Sequence, residues 1–295
     1  FFGGIMVLTT ANHPRNISAK QGFFMITLCW LLLSFFASLP FWLFSDRSIS
    51  FSDAFFEAVS GITTTGATVF SNLEDLPRSI LIWRSMLQWL GGIGIIIMTL
   101  SVLPLLKVGG MQLFQTELSE SEKALPRARQ FASSVGLVYV FLTALCAFLY
   151  WLNGMNAFDG LAHAMTTIST GGFSTYDASF AHFESISLQI ICVSFMIVGG
   201  TPFILYIKIL GGDFKAPTQD PQLKLFLSII FVVTAFFYIY MRWIHNYGHW
   251  GHGPDQVVQT TFNVVSIMTG TGYASQDFQS YGPVAYVIFF VLMTM

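Results

Sequence analysis

Charge is what this sequence has least of. Asp, Glu, Lys and Arg make up 9% of its 295 residues, against about 25% in ordinary soluble domains. So little charge excludes a typical water-soluble globule and leaves a membrane as the solvent that fits. Cysteine is scarce too. Cys29, Cys146 and Cys192 all fall within apolar runs without a pairing pattern, which excludes a disulfide framework and leaves them as small core residues. Missing from the apolar runs, Glu57 apart, are the paired acids, Ser/His arrangements and clustered ligands that an intramembrane enzyme needs. No cleavable signal is visible and the first residue is Phe, so the sequence reads as lacking its true start.

What is abundant is apolar length: 54% of the residues are hydrophobic and 16% aromatic. Charge-free runs occupy Gly22–Phe44, Ser85–Leu106, Phe131–Leu152, Ser185–Ile207 and Leu225–Met241, and a sixth opens at Tyr281 and continues to Met295. The first five approach the roughly 20 residues that cross about 30 Å of hydrocarbon. With loops assigned alternately to two sides, one side collects Arg15, Lys20, Lys107, Lys123, Arg127, Arg129, Lys208, Lys215 and Lys224. The other holds most of the acids, among them Asp53, Glu57, Glu74, Asp159, Asp177, Asp255 and Asp277. The positive-inside rule makes the first side cytoplasmic and the second an acidic outer face.

Between the apolar runs a short pattern recurs. "EAVSGITTTGAT" from Glu57 aligns without gaps to "HAMTTISTGGFS" from His163 and "NVVSIMTGTGYA" from Asn263, at offsets of 106 and 100 residues. Gly66, Gly172 and Gly272 coincide. Each copy lies between two apolar runs, so the repeating unit is span, short segment, span. The short segments, roughly Ser52–Thr64, Asp159–Ser169 and Pro254–Gly270, are too short to cross and too apolar for water, and are expected to be re-entrant half-helices. Asp53, Asp159 and Asp255 stand at their starts, where a carboxylate suits the positive end of the helix dipole.

Irregular backbone at membrane depth is tolerated only where protein buries it or a watery cavity borders it. Thr- and Gly-rich turns satisfy this if several converge on one axis. They offer carbonyl and hydroxyl oxygens with little bulk, and glycine lets successive carbonyls face one way. Such oxygens replace the hydration shell of a monovalent cation, and the negative C-terminal ends of the half-helices add to the attraction. Conduction fits these uncharged turns better than catalysis does.

The same turns, "TTTGATV", "STGGFSTYD" and "TGTGYAS", together with "WRSMLQWLGGIGI" and "LPLLKVGGMQLFQTE", resemble the Trk/Ktr/HKT superfamily of potassium transporters, most closely its bacterial TrkH-type members. The resemblance runs over the whole chain. It implies an all-α membrane protein whose repeated span, pore-helix and span units stand pseudo-fourfold around a pore, with the fourth unit missing here. By this reading 1–21 is the tail of a preceding hairpin plus a cytoplasmic loop. Residues 22–106 are the first pore unit, 107–130 a cytoplasmic loop, 131–207 the second unit, 208–224 another such loop, and 225–295 a truncated third unit.

The resemblance also implies a selectivity filter with one glycine per unit, Gly66, Gly172 and Gly272. Around them the candidate filter comprises Thr64, Thr65 and Gly66; Ser169, Thr170, Gly171 and Gly172; and Gly270, Thr271 and Gly272. Potassium is expected at Thr65, Gly66, Gly171, Gly172, Thr271 and Gly272. K⁺ uptake across a bacterial inner membrane, a homodimer, a cytoplasmic RCK-type nucleotide-binding subunit and surrounding lipid are implied with it. Neither an organic cofactor nor a nucleic acid is expected. A coupled secondary transporter, carrying K⁺ with H⁺ or Na⁺, is the competing reading. It calls for inverted repeats, whereas these repeats run in one direction.

Other signals weigh less. His245, His249 and His252 have metal-like spacing, but a solvated Gly-rich loop outweighs a zinc site. Arg84 reads as snorkelling beside Trp83 rather than tuning the outer mouth. Glu57 divides evenly between a functional group at membrane depth and a carboxylate satisfied by nearby backbone or facing the acidic side. Gly91-Gly92-Ile93-Gly94 is expected to be a close helix-packing surface, and Gly199-Gly200-Thr201-Pro202 to thin or kink its helix.

Overall fold

A computed structural model describes residues 19–44, 49–102, 124–244 and 254–294. The histidine-rich loop, the segment before Ala19 and most of the 107–130 loop lie outside these residues. The described residues are helical with no strand, so the chain is an all-α membrane protein. Among the described residues, four helices are long and apolar enough to span a bilayer, over Lys20–Leu43, Arg78–Met98, Ala132–Leu152 and Pro221–Arg242.

The first unit consists of α1 (Ala19–Phe44), the half-helix α2 (Phe51–Ile62) and α3 (Arg78–Val102). In the second, α4 (Ala124–Leu152) and the half-helix α5 (Ala157–Ile168) precede α6 (Ile186–Gly200) and α7 (Phe203–Leu210). After a one-turn helix at Ala216–Gln219 come α8 (Pro221–Ile244), the half-helix α9 (Pro254–Met268) and α10 (Pro283–Met293). Each half-helix packs on the span before it, α2 on α1, α5 on α4 and α9 on α8. Each later half-helix also packs on the preceding unit's final span, α5 on α3 and α9 on α6. The units are therefore joined through their half-helices, which brings the three turns to one another.

The apolar run Ser185–Ile207 does not form one straight span. Its helix breaks after Gly200 and α7 departs at 88° to α6. Pro202 supplies the reason: it lacks an N–H and disfavours helix at the residue before it, and Thr201 is extended with ψ 137°. Cys29 also departs from expectation. Cys146 and Cys192 are buried, but Cys29 is exposed, because α1 is peripheral and turns most of its apolar surface outward, Phe24 and Leu43 included. Lipid solvates such a surface as a core would.

The first two half-helices start with side-chain caps, though their aspartates are not the caps themselves. Ser50 and Asn156 accept the N–H of Asp53 and Asp159 at 3.2 and 2.9 Å. The aspartates accept in return from the capping side chains, at 2.8 Å from Ser50 Oγ and 2.5 Å from Asn156 Nδ2. The arrangement resembles a capping box, but the acid in the first turn bonds the cap's side chain and not its backbone N–H.

Candidate functional site

All three half-helices end in the same way. Thr64 (φ 56°), Thr170 (φ 50°) and Gly270 (φ 71°) adopt the left-handed conformation just past the helix. In the first two, a Schellman pair of bonds closes the end. Thr65 N–H reaches Ser60 O and Thr64 N–H reaches Gly61 O, at 2.9 and 3.0 Å; Gly171 N–H reaches Thr166 O and Thr170 N–H reaches Thr167 O, at 2.9 and 3.1 Å. Two residues later, Gly66 (φ 80°), Gly172 (φ 76°) and Gly272 (φ 80°) are left-handed again. The alternation turns successive carbonyls in a common sense. A β-branched residue in this region is strained by about 1–3 kcal/mol, so the chain holds Thr64 and Thr170 in a conformation that only Gly270 adopts freely.

The turns meet one another at their glycines. A Cβ on Gly66 would lie 2.3 Å from the Gly171 carbonyl oxygen, and one on Gly172 would lie 1.8 Å from that of Thr271. Each turn thus presses a backbone carbonyl against the glycine of the turn before it, where no side chain fits. A cavity of about 360 Å³ adjoins the turns, bordered by Thr64, Ser169 and Thr170 together with Tyr139, Thr201 and Phe203.

Behind the turns, one register carries a polar side chain in each half-helix: Glu57, His163 and Asn263. Each receives bonds from the chain that follows its own turn. Glu57 accepts from Thr68 Oγ1 at 2.9 Å and Val69 N–H at 3.0 Å. His163 Nδ1 lies 2.9 Å from the Asp159 carbonyl, so in the neutral ring Nε2 accepts from Ser174 Oγ at 3.0 Å. Asn263 Oδ1 accepts from Ser275 N–H at 3.1 Å. This register was readable in the alignment, whose three segments all begin with a polar residue.

Arg84 does not snorkel. Its side chain is 1% exposed and its Nε lies 2.7 Å from Oε1 of the equally buried Glu57. It also donates to the Ser174 carbonyl at 2.9 Å and to Thr68 Oγ1 at 3.1 Å, while its guanidinium lies 4.2 Å from the centre of the Phe173 ring. Burial between the first and second units leaves the headgroups out of reach, and a buried guanidinium demands an anion. Glu57 meets that demand while also bonding nearby backbone.

The outer acids are likewise occupied. Asp159 is buried and accepts from Thr175 Oγ1 at 2.8 Å and Tyr176 Oη at 2.7 Å. Asp177 accepts the N–H groups of Asn72 and Leu73 at 2.6 and 3.0 Å, tying the second unit's loop to the first's. These two carboxylates fasten the loops, while Asp177 stays exposed on the outer face with Asp53, Glu74 and Asp75. The glycine expectations hold in part: a Cβ on Gly91 would lie 2.0 Å from Ile62 O and one on Gly92 2.7 Å from Tyr139 Oη, while Gly94 has nothing within 4 Å. Gly199 and Gly200 repeat the first two contacts against Ile168 O at 2.8 Å and Thr269 Cγ2 at 3.1 Å.

Three left-handed turns, paired at their glycines and set on half-helices between spans, match a known architecture. A family model described as TrkH, cation transport protein, matches residues 1–295. The chain belongs to the TrkH family. It is 43% identical over 288 residues to the Trk system potassium uptake protein TrkI of Halomonas elongata, covering 97% of this chain and 57% of that protein. To the Trk system potassium uptake protein TrkH of Escherichia coli it is 37% identical over 279 residues, covering 93% and 57%. The crystal structure of the potassium transporter TrkH from Vibrio parahaemolyticus superposes with a TM-score of 0.84 at 33% identity, covering 95% of this chain and 57% of that one. The chain therefore spans rather more than half the length of the relatives it matches.

Proposed function

We propose that this TrkH-family chain forms part of a potassium-uptake pore in the bacterial inner membrane, and that it is a transporter rather than an enzyme. The observation that carries the reading is the contact of each turn's carbonyl with the preceding turn's glycine, Gly171 on Gly66 and Thr271 on Gly172. It ranges backbone oxygens of successive units side by side, as a selectivity filter requires. The filter comprises Thr64, Thr65 and Gly66, Ser169 to Gly172, and Gly270 to Gly272. A fourth turn, expected from the family resemblance, completes the ring beyond Gly272.

The membrane potential supplies the driving force. Moving one charge inward gains about 2.3 kcal/mol per 100 mV, and tenfold accumulation costs about 1.4 kcal/mol. A potential of that size sustains more than tenfold accumulation without ATP. The protein works as a homodimer with a cytoplasmic RCK-type nucleotide-binding subunit. The relatives named as Trk system potassium uptake proteins support potassium as the cargo.

Growth of a potassium-uptake-deficient bacterium on low K⁺ tests the proposal, with the protein expressed from its whole gene beside the Gly172→Ser variant. Wild-type rescue and loss of rescue in the variant, at equal membrane abundance and with the regulatory subunit supplied, are expected. Equal rescue by both would remove the ion path from these turns.

A further inference from the structure

Gln88 lies on α3 within the segment "WRSMLQWLGGIGI", and both ends of its carboxamide are engaged. Its Nε2 donates to the Gly171 carbonyl at 2.6 Å, and its Oε1 accepts the Phe173 N–H at 3.0 Å. A carbonyl only accepts and a backbone N–H only donates, so these partners fix the orientation of the amide. The side chain is fully buried. The first unit's last span thus grips the second unit's turn on both sides of Gly172.

This grip explains a departure within the repeat. The position before the filter glycine is Thr65 in the first turn, Gly171 in the second and Thr271 in the third. Gly171 is not left-handed, so its backbone does not call for glycine. Space does: a Cβ there would lie 2.4 Å from Gln88 Cδ and 2.5 Å from its Oε1. In the register that sets Gly199 at the place of Gly91, Met196 takes the place of Gln88. Methionine has no amide to donate, and there the turn carries Thr271. Among the described residues no side-chain amide donates to the carbonyl of Thr65 or Thr271.

We propose that Gln88 is a positioning residue for ion discrimination, holding the Gly171 carbonyl by one lone pair and leaving the other to the ion path. A carbonyl tethered in this way resists moving inward to follow a smaller cation, so its loss weakens the preference for K⁺ over Na⁺. This rests on the reading of the turns as a filter.

The test measures K⁺ uptake with Na⁺ as competitor in the uptake-deficient host, with the protein expressed from its whole gene and its membrane abundance quantified. Gln88→Met removes both bonds at similar length. Gln88→Glu keeps an acceptor for Phe173 N–H and replaces the amide donor to Gly171 with a carboxyl group. The double variant Gln88→Met with Gly171→Thr imports the pairing of the third turn. The single variants are expected to lower the K⁺ over Na⁺ preference by roughly fivefold, the factor that one net hydrogen bond carries, at unchanged abundance. An unaltered preference in any Gln88 variant that reaches the membrane overturns the inference. Failure of all three to accumulate does so too, since Gln88 would then serve folding alone. Gly172→Ser separates the two readings: if it leaves uptake and preference unchanged, the filter itself is misplaced, whereas an effect there without one at Gln88 sinks only the positioning role.

Discussion

Removing one member of the Glu57–Arg84 pair is expected to be among the costliest single changes in this chain. The two side chains are 0% and 1% exposed and 2.7 Å apart, so neither charge has water to fall back on. Breaking such a pair from one side costs about 3–5 kcal/mol, because it strands the other charge. Arg84→Met leaves Glu57 with the Thr68 hydroxyl and the Val69 N–H. Glu57→Gln leaves Arg84 with neutral acceptors only, among them the Ser174 carbonyl and Thr68 Oγ1, and with the Phe173 ring. The double variant strands no charge, and its cost is expected to be no greater than that of either single change. Equilibrium unfolding in mixed micelles, followed by tryptophan fluorescence, reads all three. Uptake adds a sign: Glu57→Gln leaves a cation without its counter-charge beside the second turn and repels K⁺, so at equal abundance it slows uptake more than Arg84→Met does. Single effects below about 1 kcal/mol, the range of solvent-exposed pairs, or a double variant equal to the sum of the singles, would refute the reasoning.

Gly91→Ala is expected to unfold or severely destabilise the protein, since its Cβ would sit 2.0 Å from the Ile62 carbonyl, whereas Gly94→Ala, three residues on in the same helix and free of neighbours, gains about 0.5–1 kcal/mol from helix propensity; thermal unfolding of the two variants checks the contrast. Tyr176, in the outer loop, has its hydroxyl pushed up to about 12 from 10.0, first by burial and then by its hydrogen bond to Asp159. A raised phenol favours the folded state below its unfolded value, so the stability advantage of wild type over Tyr176→Phe is expected to be full below pH 10 and to vanish between about pH 10 and 12; an advantage that instead grows over that range would contradict the assignment.

The repeated turns were legible in the sequence because their chemistry is local. A left-handed helix end and a glycine two residues later leave a signature in consecutive letters, and three copies in register reinforce it. The kink at Gly199 to Pro202 was legible for the same reason. Arg84 was not, because a cation at a span's start has the same sequence neighbours whether it snorkels or is covered. Only the packing of α3 against α5 and α2 decides, and that is set by residues far along the chain. Gln88 lay within the segment "WRSMLQWLGGIGI" but its role was not legible there; the single glycine at position 171, against threonine at 65 and 271, was a trace of it. The aspartates at the half-helix starts were placed correctly, but the capping itself fell to Ser50 and Asn156, one turn earlier.

The repeats diverged by contact rather than by position. Where α3 offers Arg84, the half-helix register carries Glu57; where α6 offers Cys192 in the same place, it carries His163. Where α3 offers Gln88, the turn carries Gly171; where α6 offers Met196, it carries Thr271. Each change in a span coincides with a change at the corresponding half-helix or turn position. Where the contact is made, Arg84 on Glu57 and Gln88 against Gly171, the reason is that a charge without its partner or a Cβ against an amide is not tolerated in so dry an interior. The backbone of the turns, alternating in hand at the same positions in all three units, stays constant through these exchanges. A cation path built from backbone oxygens needs that constancy, and the seams between units are free to vary only in matched pairs behind it.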